Sequence, residues 1–259
     1  MSNQAAANIH PDAKIGENVT IEPFATVYAD VVIEDGSWIG PNAVIMDGAR
    51  IGKNCKIHPG AVISNTPQDL KYSGEKSLTT IGDNTEIREC ATINKGTSDR
   101  METRIGANCL IMAYVHIAHD VFIGKNVIVA VGTALAGHMD VEDYAIIEGL
   151  SGAQQFLKIG GHCFIAAGSL IRKNVPPYTK CAREPLTYTG VNAIGLRRRG
   201  WEEETIKEIE SIYRTIYIHN KTITKGLAQV EKDYPESAHR TEIIDFIRNS
   251  KNGVIKGPN

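Results

Sequence analysis

The chain has 259 residues, 42% of them hydrophobic and 22% charged, enough for one sizeable core with a small second domain and too apolar for disorder. Lys+Arg 28 against Asp+Glu 30 leaves a formal net charge of -2, which excludes the global basic excess of a nucleic-acid-binding protein. No apolar run approaches the roughly eighteen residues of a membrane span, and the start, MSNQAAANIHPDAKIG, lacks the basic and hydrophobic parts of a targeting signal. The expectation is a cytoplasmic protein with no transmembrane segment.

From Ile9 the chain settles into a period of six. Ile9, Ile15, Ile21, Val27, Ile33, Ile39, Ile45, Ile51, Ile57 and Ile63 follow in unbroken steps, and the phase returns at Ile81, Ile87 and Ile93 and again from Ile105 to Ile171. Twenty-four of these twenty-five sites are Ile, Val or Leu; Ala153 is the exception. Four residues after each aliphatic site the residue is usually compact, as at Ala25, Ala43, Ala61, Ala91 and Ala145. Cys55, Cys109 and Cys163 share this position, which makes them core filler. Neither they nor Cys90 and Cys181 form a CxxC pair, and a reducing compartment fits.

Six residues fit neither a heptad nor a 3.6-residue helix. They match short parallel strands turning around one interior, the hexapeptide β-helix pattern. Three hexads to a triangular coil give roughly eight coils stacked about 4.8 Å apart.

Two excursions keep the phase while breaking the pattern: residues 64–80, with Asp69 and Glu75 at the aliphatic sites, and residues 94–104, with Asp99. Both are expected to be outward loops, where binding residues tend to gather. The hexads end after Val175-Pro176-Pro177. Residues 178–196 read as irregular, and helices are expected over about 201–219, 222–232 and 237–249. The predicted organisation is therefore a β-helix over 1–190 and a helical domain over 191–259 that caps the open end of the prism.

The segment AYVHIAHD (113–120) brings His116, His119 and Asp120 together, and Ala136-Gly137-His138 should stack one coil above it. A neutral imidazole can take a proton from a sugar hydroxyl while a carboxylate fixes its orientation, and the Gly137 amide is placed to stabilise an oxyanion. No serine or cysteine stands out as a covalent nucleophile. A shared histidine metal site, as for hydration of carbon dioxide, is the weaker reading, because polar groups suited to a sugar follow these histidines; no metal ligand is assigned. Between Arg172 and Arg199 seven basic residues stand against Glu184 alone, a patch suited to an acidic carrier protein or a diphosphate. Aromatics for base stacking are sparse there.

Beyond the hexads, the segments NTPQDLKYSGE (65–75), IRECATINKGT (87–97), AYVHIAHD, LAGHMDVEDYAIIEG (135–149), NVPPY (174–178) and GVNAIGLRRRG (190–200) closely resemble the acyl-[acyl-carrier-protein]:UDP-N-acetylglucosamine O-acyltransferases of lipid A biosynthesis. The resemblance spans nearly the whole chain. It implies a left-handed parallel β-helix with a C-terminal helical domain, and a homotrimer with active sites between prisms. It also implies transfer of an R-3-hydroxyacyl group from acyl carrier protein to the glucosamine 3-hydroxyl of UDP-N-acetylglucosamine, with no cofactor of the enzyme's own.

Carried over by position, His119 resembles the general base, Asp120 its supporting carboxylate and Gly137 the oxyanion donor. Asp69, Lys71, His116, His138 and Gln155 resemble substrate contacts, and Asn192, Arg198 and Arg199 nucleotide or phosphate contacts. Two departures stand out: Gln154 replaces a common histidine, and Ala167 occupies the glycine position that limits acyl depth. The sibling N-acyltransferases carry a domain before their coils, for which hexads beginning at Ile9 leave no room. Small acetyltransferases of this type would not explain 64–80 with the helical tail, and a trimeric scaffold would leave HIAHD, LAGH and QDLKY idle.

Overall fold

A computed structural model describes residues 6–258. Each hexad makes one short strand that ends on its aliphatic residue, or just past it at Val62–Asn65 and Thr92–Asn94, with that side chain pointing into the prism; from Ile21 to Ile171 these columns are 0–2% exposed, apart from Ala153 at 8%. The strands form three faces of nine, eight and ten strands, parallel except for the last strand of the third, and each strand inside a face pairs with those on either side of it, in the helix the ones a coil earlier and a coil later. Register repeats like on like, as in the column Ile93, Ile117, Leu135, Ala153 and Ile171. The coil is left-handed. The right-handed rule for parallel crossovers depends on a twisted strand feeding a helix, and short strands joined by tight corners contain no such helix.

Three residues after most aliphatic sites the backbone takes a positive φ, which makes the corner. Asn18, Gly36, Asn42, Asn54, Gly60, Asn84, Asn108, Asn126 and Gly132 occupy it with the two residue types that tolerate it best. Asp120 (φ 58°), His138 (φ 61°) and Phe156 (φ 63°) hold the same position in successive coils. Such conformations cost other residues about 1–3 kcal/mol each, and a run of them points to function.

The compact position after each strand has its own logic. Ser37 Oγ donates to the Gly52 carbonyl (2.8 Å) and accepts from Cys55 N (3.0 Å), while Thr85 Oγ1 does the same for Gly106 (2.8 Å) and Cys109 (3.1 Å). Burial pushes the Cys55 and Cys109 thiols up to about 11 and Cys181 to about 12, so these are packing groups without thiolate character. Cys90 differs: it sits exposed at a corner.

The excursions lengthen single corners. Val62 pairs with Thr92, thirty residues on, and Thr80 pairs with Arg104, twenty-four on, where His116 and Ala134 are eighteen apart. Both insertions leave the first face and so emerge at the corner between the first and second faces.

The stretch expected to be irregular, 178–196, is ordered. Thr179–Ala182 extends the third face, Thr187–Val191 returns antiparallel to it, and a short helix α1 (Ala193–Arg198) follows, capped by Asn192. These elements are too short to show a period. Helices α2 (Glu203–Tyr217), α3 (Ile223–Asp233) and α4 (Ala238–Arg248) fall where the apolar spacing placed them. From α2, buried Tyr213 donates to the Pro177 carbonyl (2.6 Å), fixing the helices onto the last coil. No helix among the described residues is long and apolar enough to cross a membrane.

Candidate active site

The corner that carries both insertions also carries the turns of the HIAHD and LAGH segments. Asp120 is fully buried there. Its carboxylate accepts from the Thr97 hydroxyl (2.6 Å), the Thr97 amide (3.0 and 3.1 Å) and the Arg100 amide (3.1 Å), while its own amide donates to Thr103 Oγ1 (2.8 Å). Burial alone would raise its pKa, but the bonds from Thr97, His119 and Arg100 outweigh it and hold the carboxyl below the ordinary range. Asp120 is therefore an anion built into the corner, gripped by the 94–104 insertion.

His119 Nδ1 lies 2.8 Å from Asp120 Oδ2. An ionised carboxylate only accepts, so Nδ1 carries the proton and Nε2 is left as the free base. Nε2 stands 3.8 Å from Asp69 Oδ2, across the gap between the prism and the 64–80 insertion. His138 meets the His119 ring edge to face (centroids 4.9 Å), stacks on Phe156 (4.5 Å) and pairs through Nδ1 with Asp99 at 2.9 Å. His116, three residues before His119, pairs with Thr92 (2.8 Å) and is held below its usual pKa by burial and then by His119.

Gly137 lies against the His119 ring. At the corner between the second and third faces the corresponding amide is capped by an aspartate of the next coil: Glu17 by Asp35, Lys53 by Asp83 and Lys125 by Asp143. At the corner of Gly137, between the first and second faces, the residue one coil on is Gln155, and among the described residues the Gly137 N–H has no partner. That leaves a donor beside the base. A methyl at Gly137 would lie 2.7 Å from His119 Cε1 and 2.9 Å from Nε2, so Gly137→Ala should push the imidazole aside. Steady-state assays should show kcat lowered about 10²-fold, with the melting temperature nearly unchanged.

A cavity of about 740 Å³ opens over this corner, lined by His116, His119, Gly137, Gln154, Gln155 and Gln68 among others. Its floor is the outward side of the first face, where Ala134 and Gly152 are small and Leu170 is apolar. The structure thus brings together His119, Asp120, Gly137, His138, His116, Asp69 and Gln155. Lys71 is near in sequence but exposed, and its amide donates to Asp69 Oδ1 (3.0 Å).

The other sequence candidates occupy different corners of the same chain. Ala167 is exposed between the third and first faces, in line with Gly149 and Val131. Asn192 and Arg199 lie by the corner between the second and third faces: Asn192 Nδ2 donates to the His162 carbonyl (2.9 Å), and Arg199 lies over the Tyr144 ring and donates to its carbonyl (3.0 Å). Arg198, the neighbour in α1, is exposed. Sequence reasoning did not single out Thr97, Arg100 or Thr103 as the supports of Asp120, nor the pairing of Asp99 with His138.

At that second corner His162 is stacked between Tyr144 (4.8 Å) and Tyr178 (5.7 Å), with Trp201 at its edge. Burial, then the Arg199 charge, pull its pKa down to about 4, against the opposing pull of Asp143; His239 adds to the depression. The folded form therefore binds this proton less readily than the unfolded chain. Stability from this group is complete above the ordinary histidine pKa of about 6.5 and is lost as pH falls toward 4. In urea titrations the stability advantage of wild type over His162→Gln should shrink between pH 6.5 and 4 and stay flat above it.

Comparison with known proteins shows the family. Residues 30–65 and 102–137 match the bacterial transferase hexapeptide family of six repeats, which defines the chain as a hexapeptide-repeat transferase. Residues 174–255 match the family described as Udp N-acetylglucosamine O-acyltransferase, domain 2. Acyl-[acyl-carrier-protein]–UDP-N-acetylglucosamine O-acyltransferases are similar over three quarters of the chain: 37% identical in Thiobacillus denitrificans, covering 75% of this chain and 76% of that protein, and 41% in Pseudomonas syringae pv. syringae, covering 74% of each. A crystal structure of a UDP-N-acetylglucosamine acyltransferase from Bacteroides fragilis 9343 superposes with a TM-score of 0.95 at 46% identity, covering 97% of this chain and 99% of that one. The chain belongs to the acyl-[acyl-carrier-protein]–UDP-N-acetylglucosamine O-acyltransferase family.

Proposed function

We propose that the enzyme moves an R-3-hydroxyacyl group from the phosphopantetheine of acyl carrier protein to the 3-hydroxyl of UDP-N-acetylglucosamine, in the cytoplasm, as a first step toward lipid A. The observation that carries the mechanism is the His119–Asp120 pair, with Nδ1 anchored at 2.8 Å and Nε2 facing the cavity. His119 Nε2 takes the proton of the attacking hydroxyl, and the oxygen adds to the thioester carbonyl. The Gly137 amide stabilises the resulting oxyanion. Collapse breaks the C–S bond, and the departing thiolate recovers the proton from His119. The transfer is direct: among the described residues no serine or cysteine side chain is bonded to His119.

The reading includes a homotrimer. Asn192, Arg198 and Arg199 lie at one corner, Ala167 at another and His119 at the third, so one chain cannot close them around a single substrate. Three prisms side by side about a threefold axis would bring one chain's corner against its neighbour's. His138, Asp69, Lys71 and Gln155 then serve the sugar side, and Asn192, Arg198 and Arg199 of the adjoining copy the nucleotide or carrier phosphate. Ala167 narrows the path of the acyl chain.

The test is an acyl-transfer assay on the purified enzyme with UDP-N-acetylglucosamine and 3-hydroxyacyl carriers of about ten to sixteen carbons, beside intact-mass spectrometry of the enzyme during turnover. A 3-O-acyl product with no acylated enzyme supports direct transfer. A trapped acyl-enzyme sinks it, and no product with any carrier sinks the substrate assignment.

A further inference from the structure

The base corner has a property the transfer reaction does not need. Donor atoms from Asp69, His119 and His138 all lie within 4.8 Å of one another, and the closest measured pair, His119 Nε2 to Asp69 Oδ2, is 3.8 Å. A tetrahedral zinc ion, with bonds of about 2.0–2.2 Å, holds its ligands roughly 3.3–3.5 Å apart. The closest pair therefore needs to close by only about half an ångström and the widest by up to about 1.5 Å, and Asp69 sits on a loop that can supply the movement.

The surroundings match those of a metal centre as well. Both imidazoles are already held by carboxylates, His119 by Asp120 at 2.8 Å and His138 by Asp99 at 2.9 Å. Partners of this kind orient histidine ligands and raise their basicity. Three aspartates, 69, 99 and 120, thus face the two histidines. Arg100, which also reaches toward the His138 carbonyl, is turned to Asp140 at 2.7 Å. Two nitrogens and one carboxylate oxygen, with the cavity as an open fourth position, suit zinc and related borderline ions and are poor for magnesium or calcium.

We infer that the catalytic corner is also an inhibitory site for a zinc-like divalent ion, bound by His119, His138 and Asp69. The ion takes the lone pair of His119 Nε2 and so removes the base that the transfer mechanism requires. It also occupies the sugar side of the cavity, which makes it a competitor of the sugar nucleotide. The ligand set goes beyond the proposed reaction, but the inhibition rests on it.

The test separates the two. Cobalt(II), the spectroscopic stand-in for zinc, is titrated into the full-length enzyme without substrate, and the visible absorption is followed. The expected result is a saturable band equivalent to one ion per chain, displaced by zinc, with affinity at least tenfold weaker in both Asp69→Asn and His138→Gln. No saturable band, or unchanged affinity in both variants, overturns the site whether or not the enzyme transfers acyl groups. In the transfer assay, micromolar zinc should inhibit, chelator should restore activity, and rising UDP-N-acetylglucosamine should weaken the inhibition. Binding at the corner with turnover unaffected by zinc overturns the inhibitory role.

Discussion

Replacing His119 with alanine should lower kcat by about 10²–10⁴-fold, the range spanned by a positioned general base, while leaving KM for the sugar nucleotide within a few-fold. The reason lies in the geometry. Nε2 is the free nitrogen at the cavity mouth, and His116 cannot take over because its Nδ1 is bonded to Thr92 and its proton affinity is lowered by burial. His138 is turned to Asp99. The fold should survive, since Asp120 keeps its bonds from Thr97 and Arg100. A variant within threefold of wild type in kcat/KM, with a normal melting curve, would remove His119 from the chemistry.

Asp120→Asn should damage both rate and stability. An amide group cannot accept from Thr97 and Arg100 on one side and from His119 on the other without turning its NH₂ toward a donor. The imidazole loses the partner that fixes its tautomer, and kcat should fall about 10²-fold or more. The buried corner loses charge-assisted bonds, with a cost of about 1.5–3 kcal/mol expected for losing hydrogen bonds to a charged group. The pH dependence has a definite sign. Because the folded carboxyl is held below its ordinary pKa, its stabilisation is present above about pH 3.9 and is lost as pH falls through the lower folded value. Denaturant titrations should show a constant gap between wild type and Asp120→Asn from pH 7 down to about 4, and a narrowing gap below. A gap that narrows near neutrality would mean that Asp120 is not the depressed group.

The scaffold was legible because its rule is local: one aliphatic residue every six, with the backbone turning three residues later. Ile9 to Ile171 carry that rule in plain view. What stayed hidden was contact between segments far apart in the chain. Nothing in the order of letters tells that Thr97 and Arg100 reach back to Asp120, because the 94–104 insertion has no period of its own. The hairpin of Thr179–Ala182 and Thr187–Val191 was missed because its strands are too short to alternate visibly. The histidine pair could be placed by counting eighteen residues per coil. Its orientation by Asp99 and Asp120 needed coordinates.

The two ends of the prism are unlike. The far end is closed by α2 and its tyrosines, whereas at the near end, among the described residues, the strand Asn8–Ile9 pairs on one side only and Ile9 and Ile15 are only half-buried. A stack in which each coil rests on its neighbours melts from its weakest terminus inward. Amide exchange should therefore be fast in the first coil and slow progressively toward the sealed end. His119 and His138 sit several coils inside that gradient, so the first coils can fray and re-form while the reacting corner keeps its shape.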